Sequence, residues 1–412
     1  MESTEALPPI ENFYSSLSEE TISIKNYNFA KEVWYKFEIK NLRQYCELYC
    51  EIDNILLAEV FTKFRKSMLE FSNLDPCHYV SLPSFAWDTM LKVTNCCLGL
   101  PTDIDMVYFI ENGIRGGLSF INTRYAQIPS SNRNSADQPN SKKHVKSDEA
   151  IIYIDANNLY GGSQEKSLPY DKYVWVSDDK IRKFDPLKTD LNGDIGYILE
   201  VDLEYPQKHH HHHSDYPLAP ENYEICLDDL SRFSQREYLK YNKSSYKSKK
   251  LTSTFFDRKK YVIHIQNLVL YMQLGMKLLK IHRILQFRQK PFLLDFIRKC
   301  TSARKKAASD FEKNQFKKVA NSCYGMTISN IREYISVKIH TNQKSFLKAT
   351  SSHTFKNYNI IDQDIIVTSH FLPTVTHNKP YAVGFSILEF VSILKINLKH
   401  YCYFNLNNMR QS

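Results

Sequence analysis

The chain has 412 residues, enough for two or three domains with a sizeable core. Hydrophobic residues make up 42% and charged residues 24%, an ordinary globular balance that leaves no room for a wholly disordered or fibrous chain. The net charge of +9 suits an anionic partner such as nucleic acid, but a merely basic globular protein carries it equally well. Nine cysteines occur with no Cys-x-x-Cys pair and no zinc-like Cys/His spacing, so free intracellular thiols are expected. The acidic start, Met1-Glu2-Ser3-Thr4-Glu5, lacks an apolar signal region. No run of about 18 uncharged apolar residues appears, so no membrane span is expected. No solenoid-type repeat is present.

Residues 26–70 read as helices. Leu42, Tyr45, Leu48, Tyr49 and Ile52 fall on helical spacing, followed by Ile55, Leu56, Val60 and Phe61. Tyr49 and Asp53 share one face of that helix. Glycine is scarce at 11 residues, so the pair Gly116-Gly117 behind Arg115 stands out. A glycine pair lets a backbone approach a phosphate closely and an adjacent arginine can pair with it, though a plain turn fits the same residues. Residues 128–149 are polar and aperiodic, and read as a loop or linker.

The stretch 150–162 follows at once. Its apolar start, Ile151-Ile152-Tyr153-Ile154, reads as a buried strand, and Asp155-Ala156-Asn157-Asn158-Leu159-Tyr160-Gly161-Gly162 as a sharp turn. A carboxylate at the tip of a buried strand is held rigidly. Phosphoryl-transfer enzymes place a metal-binding aspartate in this way, and an aspartate that only caps the turn is the competing reading. An aspartate-based phosphatase would need Asp-x-Asp here, and the third position is Asn157. Tyr197 to Tyr205 alternates cleanly, with Glu200, Asp202 and Glu204 on one face and Leu199, Val201 and Leu203 on the other. That pattern predicts a half-buried strand whose acids line a solvated face. His209 to His213 form a run that could bind metal adventitiously and is read as a loop. The spacing predicts an amphipathic helix over Tyr261–Leu274, a strand over Leu278–Phe287, and one long helix from about Pro291 to Tyr324. On such a helix Lys306, Lys313, Lys317 and Tyr324 lie within about 40° of one another. A lysine stripe ending in Asn321-Ser322-Cys323-Tyr324-Gly325 suits a triphosphate followed by a base pair.

Asp155-x-x-Asn158-Leu159-Tyr160 resembles motif A of the family B DNA polymerases, and the glycine after the tyrosine resembles the protein-primed branch. Lys317-x-x-x-Asn321-Ser322-x-Tyr324-Gly325 resembles motif B of the same family. The likeness runs from about residue 8 to 403. It implies an α+β fold: a palm made of an antiparallel sheet with helices, helical fingers, and the C-terminal remnant of an exonuclease domain. The expected divisions are 1–70 for the remnant, 71–127 for a connector, 128–149 for the loop, 150–257 for the palm with an insertion, 258–335 for the fingers, and 336–412 for an incomplete palm.

The resemblance also assigns roles. Asp155 and the carbonyl of Ala156 would bind Mg²⁺, two ions in a complete site. Tyr160 would pack under the deoxyribose and exclude a 2′-OH. Lys305, Lys313 and Lys317 would hold the triphosphate, with Lys306 competing for the place of Lys305. Asn321 and Tyr324 would line the nascent base pair. Arg115, Gly116 and Gly117 resemble an element that contacts single-stranded template, with Ile114 where the branch has a tyrosine. Tyr49 and Asp53 resemble the third exonuclease motif, in a domain whose first two motifs do not precede them here. Asn378-Lys379-Pro380 through Glu389 resembles the turn and helix before motif C, and motif C does not follow before Ser412. The expected partners are a DNA primer-template, dNTPs and a terminal priming protein, with no membrane. The expected location is intracellular, nuclear if a eukaryotic genome encodes the chain. The expected function is protein-primed DNA-directed DNA synthesis by a truncated copy. The alternative is a nucleic-acid-binding remnant without turnover.

Overall fold

The computed structural model describes residues 6–116, 118–119, 125, 155–241 and 246–409, with side chains described up to residue 398. Two compact units divide between Val80 and Ser81.

The first unit holds two helices, α1 (Ile24–Lys36) and α2 (Leu42–Ser72). Each starts at a polar cap. The Ser23 hydroxyl accepts from the Asn26 amide at 3.2 Å, and the Asn41 side chain accepts from the Gln44 amide at 2.9 Å. Helix α2 ends at Asn73, which takes the left-handed conformation, φ 54°, that commonly closes a helix. Trp34 of α1 is buried and stacks on Tyr45 of α2 at 5.9 Å. Beyond that contact α2 is bare, with only Met68 and Ser72 buried along its length.

The second unit is organised by a four-stranded antiparallel sheet. Its helices and strands run α3 (Leu82–Thr94), α4 (Ile104–Gly113), α5 (Leu159–Gln164), β1 (Leu168–Trp175), α6 (Asp178–Ile181), β2 (Ile195–Glu204), β3 (Glu221–Cys226), α7 (Arg232–Tyr241), β4 (Lys247–Thr252), β5 (Arg258–His264), α8 (Ile265–Gln273), β6 (Lys277–Lys290), α9 (Leu294–Lys306), α10 (Asp310–Thr327), β7 (Ile335–His340), α11 (Gln343–Thr350), β8 (Phe355–Asp362), β9 (Ile365–Phe371) and α12 (Tyr381–Met409). The sheet order is β1-β6-β2-β5. A β3-β4 pair and a three-stranded sheet, β7-β9-β8, stand apart from it. The segregation of helices and antiparallel strands makes the unit α+β.

The alternation read over Tyr197–Tyr205 is realised in β2. Leu199, Val201 and Leu203 are fully buried in a core that includes Leu268 and Val269 of α8. On the other face Ile198, Val262, Leu285 and Phe287 pack with Phe109 and Ile110 of α4 and Tyr381 and Phe385 of α12. The acids of β2 meet cations on β6 instead of open solvent. Arg283 grips Glu200 with two hydrogen bonds at 2.9 and 3.0 Å, His282 lies 2.9 Å from Asp202, and Lys277 lies 2.7 Å from Glu204. Antiparallel register sets Glu200 opposite Arg283 and Glu204 opposite Lys277, while His282, at the register shift between Glu200 and Val201, reaches Asp202, so the acidic face is a ladder of cross-strand pairs.

Two expected helices differ in their bounds. The helix predicted over Tyr261–Leu274 begins at Ile265, because residues up to His264 pair with β2. The His264 side chain then caps α8 by accepting from the Gln266 amide at 3.3 Å. Sheet pairing outweighs helical periodicity over those residues. The long helix predicted from Pro291 to Tyr324 is two helices, α9 and α10. Ser309 accepts from the Glu312 amide at 3.3 Å, and the Glu312 carboxylate accepts from the Ala308 amide at 2.9 Å. That exchange starts a new helix at Asp310, and Ala307 turns extended to allow it.

The His209–His213 run is fixed by packing. The His213 Nδ1 lies 2.9 Å from the Tyr205 hydroxyl, and His210 stacks on Phe255 at 4.5 Å. Helix α12 contains a stretch, Tyr381–Leu398, long and apolar enough to cross a membrane, but most of it is buried inside the second unit. Its apolarity serves the core.

One buried ion pair joins four segments of this unit. Arg115, just after α4, lies 3.6 Å from Glu389 of α12, and both side chains are 6% exposed. The Glu389 carboxylate also accepts from the His264 amide and from Asn267, each at 3.1 Å. Arg115 donates to the Val262 carbonyl and stacks over Tyr261 at 3.8 Å. Burial pushes the Glu389 carboxyl above the ordinary range, and Arg115 opposes that push. Removing one partner leaves a bare buried charge. Arg115→Ala should therefore lower the unfolding free energy by about 3–5 kcal/mol in urea denaturation with an unchanged m-value. A loss under about 1 kcal/mol would show that the pair is structurally idle.

Candidate nucleotide-binding site

Asp155 is exposed and opens the turn into α5. The strand expected before it, residues 150–154, lies outside the described residues. Asn158 takes a left-handed conformation at φ 59° and starts α5, with its carbonyl accepting from the Gly162 amide at 2.9 Å. The Asn158 side chain occupies the space that a Cβ on Gly161 would fill, so glycine at 161 lets the turn close. The turn aims Tyr160 at α10, where its ring lies 4.7 Å from the ring of Tyr324. Burial and the neighbouring Tyr160 raise the Tyr324 phenol well above its ordinary value, so Tyr324 is neutral across the physiological range. Two segments far apart in sequence thus meet in one aromatic pair.

Helix α10 presents two faces. Phe316, Val319, Ala320, Cys323 and Thr327 are buried against the neighbouring elements. Lys313, Lys317, Asn321 and Gly325 lie on the exposed face, with Tyr324 half-buried at its edge. The end of α10 is held by α12, where Gly384 admits Ile328 and Thr327 into the space its missing side chain leaves. Lys313 lies 3.0 Å from the Asp310 carboxylate one turn earlier. Lys317, Lys318, Asn314, Asn321 and Ser322, with Leu82 and Pro83 of α3, line an open groove of about 460 Å³. The lysine stripe singled out Lys317, and the resemblance to motif B singled out Asn321. Lys318, Asn314 and the wall from α3 had no signal of their own, because the groove exists only where α3 packs on α10.

The helix break separates the lysines. Lys305 and Lys306 are exposed in the last turn of α9, while Lys313 and Lys317 belong to α10. The single stripe that favoured Lys306 over Lys305 does not exist, and the choice between them loses its geometric basis.

Arg115 also differs from expectation. Its guanidinium faces inward on Glu389, Tyr261 and the Val262 carbonyl, where burial and charge pairing hold it away from any phosphate. Gly116 is exposed, and a Cβ there would meet Leu388. Gly117 lies outside the described residues. In the first unit, Tyr49 and Asp53 are both exposed one turn apart on α2.

Among the described residues no three His, Cys, Asp or Glu side chains converge as metal ligands. Asp155 and the Ala156 carbonyl offer two oxygens, fewer than a two-metal site requires. The residues present therefore do not by themselves fit such a site.

The helical pair α9 and α10 thus carries lysines and a terminal Asn-Ser-x-Tyr, and the turn after Asp155 meets it through Tyr160. The profile of the family described as DNA polymerase type B, organellar and viral, matches residues 10–383, and this chain belongs to that family. No curated protein sequence matches it. Among solved structures, phi29 DNA polymerase in complex with primer-template DNA and incoming nucleotides is similar at 15% identity and a TM-score of 0.44, covering 79% of this chain and 46% of that one. Phi29 DNA polymerase in an orthorhombic crystal form is similar at 13% identity and a TM-score of 0.43, over the same shares of the two chains. This chain spans about half the length of the polymerases it resembles.

The Tyr160–Tyr324 contact is open to a direct measurement. A double-mutant cycle on Tyr160→Ala and Tyr324→Ala should show a coupling of about 0.5–1.5 kcal/mol in unfolding free energy, the range for packed aromatic pairs. Additive losses would mean that the two rings act independently.

Proposed function

We propose that this chain forms the palm and fingers of a protein-primed DNA polymerase and receives an incoming dNTP between α5 and α10. The observation that carries the reading is the meeting of Tyr160 with Tyr324, on the two segments that bear the family's motifs. Lys317 stands on the exposed face of α10 and suits the triphosphate as a mobile point charge, with Lys313 one turn earlier on the same helix and Lys305 at the end of α9. Asn321 and Tyr324 sit further along the helix, where a base pair would follow the phosphates. Tyr160 supplies a flat ring against which a deoxyribose can pack, with a 2′-OH excluded by contact. Exposed Asp155 is the one carboxylate of the aspartate turn.

The partners proposed are a DNA primer-template, in keeping with the solved complexes of phi29 polymerase, and a terminal priming protein. An intracellular place, nuclear in a eukaryotic host, goes with this reading. Divalent magnesium is the metal proposed, and a second carboxylate would have to join Asp155 to hold it. That shortage favours a second reading, in which these 412 residues bind nucleic acid without turnover.

Two experiments test these readings. Lys317→Ala should weaken dNTP binding to the chain on primer-template by about tenfold while DNA affinity holds, measured by fluorescence titration. If DNA affinity falls and dNTP binding holds, α10 grips DNA. Given primed template, Mg²⁺ or Mn²⁺ and dNTPs, the 412-residue chain should bind DNA in a salt-sensitive manner and extend no primer. Template-dependent extension that disappears in Asp155→Ala would show that the chain supplies its own second carboxylate.

A further inference from the structure

We propose that α2 is a self-association helix, and that two copies of this chain pair through it in antiparallel orientation. This goes beyond the polymerase reading and uses none of its residues on α10 or α5.

The helix is 31 residues long and leaves large apolar side chains in solvent. Tyr49 is 62% exposed, Ile52 40%, Leu56 53% and Val60 44%. At 100° per residue Tyr49, Ile52, Leu56, Val60 and half-buried Phe64 fall on one face, which spans roughly 27 Å from Tyr49 to Ser67 at 1.5 Å per residue. An isolated apolar side chain is ordinary on a protein surface, but a continuous helical stripe of this kind marks an interface.

Charge selects the partner and its direction. The N-terminal half of α2 carries Glu47, Glu51 and Asp53 against a single Arg43. The C-terminal half carries Lys63, Arg65 and Lys66 against Glu59 and Glu70, and Arg65 is held by Asp75. A parallel pair would set acid on acid and base on base. An antiparallel pair sets the acidic half of each copy on the basic half of the other.

One register satisfies both patterns. With the two-fold axis at residue 58, Leu56 opposes Val60 of the second copy, Ile52 opposes Phe64, and Tyr49 opposes Ser67. In the same register Asp53 opposes Lys63. All these positions lie on the one face. In such an isologous contact each pairing occurs twice, so a weak pair has a doubled effect. Neither Asp53 nor Lys63 has an ion-pair partner among the described residues that would compete.

The test is the oligomeric state of the 412-residue chain by sedimentation velocity and light scattering. The expected result is a concentration-dependent dimer. Leu56→Glu, at a half-exposed position the fold does not rely on, should raise the dissociation constant by about a hundredfold, with the circular-dichroism spectrum unchanged. Asp53→Lys and Lys63→Asp should each weaken the dimer by about tenfold, and the two together should restore it, because reversed charges again oppose each other. A chain still monomeric at about 100 µM would overturn the proposal and assign the stripe to another polypeptide. So would a dimer indifferent to Leu56→Glu, or a charge-reversed pair as weak as its single variants.

Discussion

The second unit depends on a carboxylate almost wholly withdrawn from water. Glu389 lies in the middle of an apolar helix that would otherwise have only dispersion contacts to set its depth and rotation. Hydrogen bonds from His264 and Asn267 and the charge of Arg115 specify both. A buried ion pair stabilises a fold poorly compared with well-packed apolar residues, but it tolerates few alternatives. Sliding α12 by one turn would carry Glu389 into the apolar place of Phe385, in the cluster that holds Val262 and Phe287. The pair thus acts as a registration pin among the end of α4, β5, α8 and α12.

The motif-bearing elements inherit that registration. Helix α12 packs against α5 on one side and against the end of α10 on the other, with Gly384 allowing close approach at Thr327 and Ile328. Tyr160 and Tyr324 meet because both of their helices are set against this one element. The ring pair is a modest interaction by itself. Its position is the product of a larger core.

Several residues that look chemical are structural here. Glu200, Asp202 and Glu204 are matched by Arg283, His282 and Lys277 across a strand pair. Arg283 further lies over the rings of Phe109 and Trp175 at 5.0 and 5.4 Å, so the ladder is anchored to the core beneath it. His210 and His213 close around Tyr205. Arg115, beside a glycine pair that suits phosphate, turns inward instead. For the strand acids and Arg115 a partner distant in sequence consumes the charge, whereas the histidines are held by a tyrosine only five to eight residues away.

The sequence by itself determined the local periodicities and the short motifs. The alternation of β2, the helicity of α2 and α10, and the Asp-Ala-Asn-Asn-Leu-Tyr and Lys-x-x-x-Asn-Ser-x-Tyr segments are all legible there, because each depends on neighbours a few residues away. Even the break between α9 and α10 was written locally, as Ser309 and Glu312 three residues apart, although helical periodicity across the break concealed it. Only the tertiary structure decided which charges remain free. Lys317 and Asn321 are exposed because their helix buries its opposite face against the neighbouring elements, whereas Arg115 is spent because Glu389, hundreds of residues later, comes to lie beside it. Sequence spacing carries the geometry of a helix or strand. It carries no information on which distant side chain completes an ion pair, since that depends on how whole elements pack.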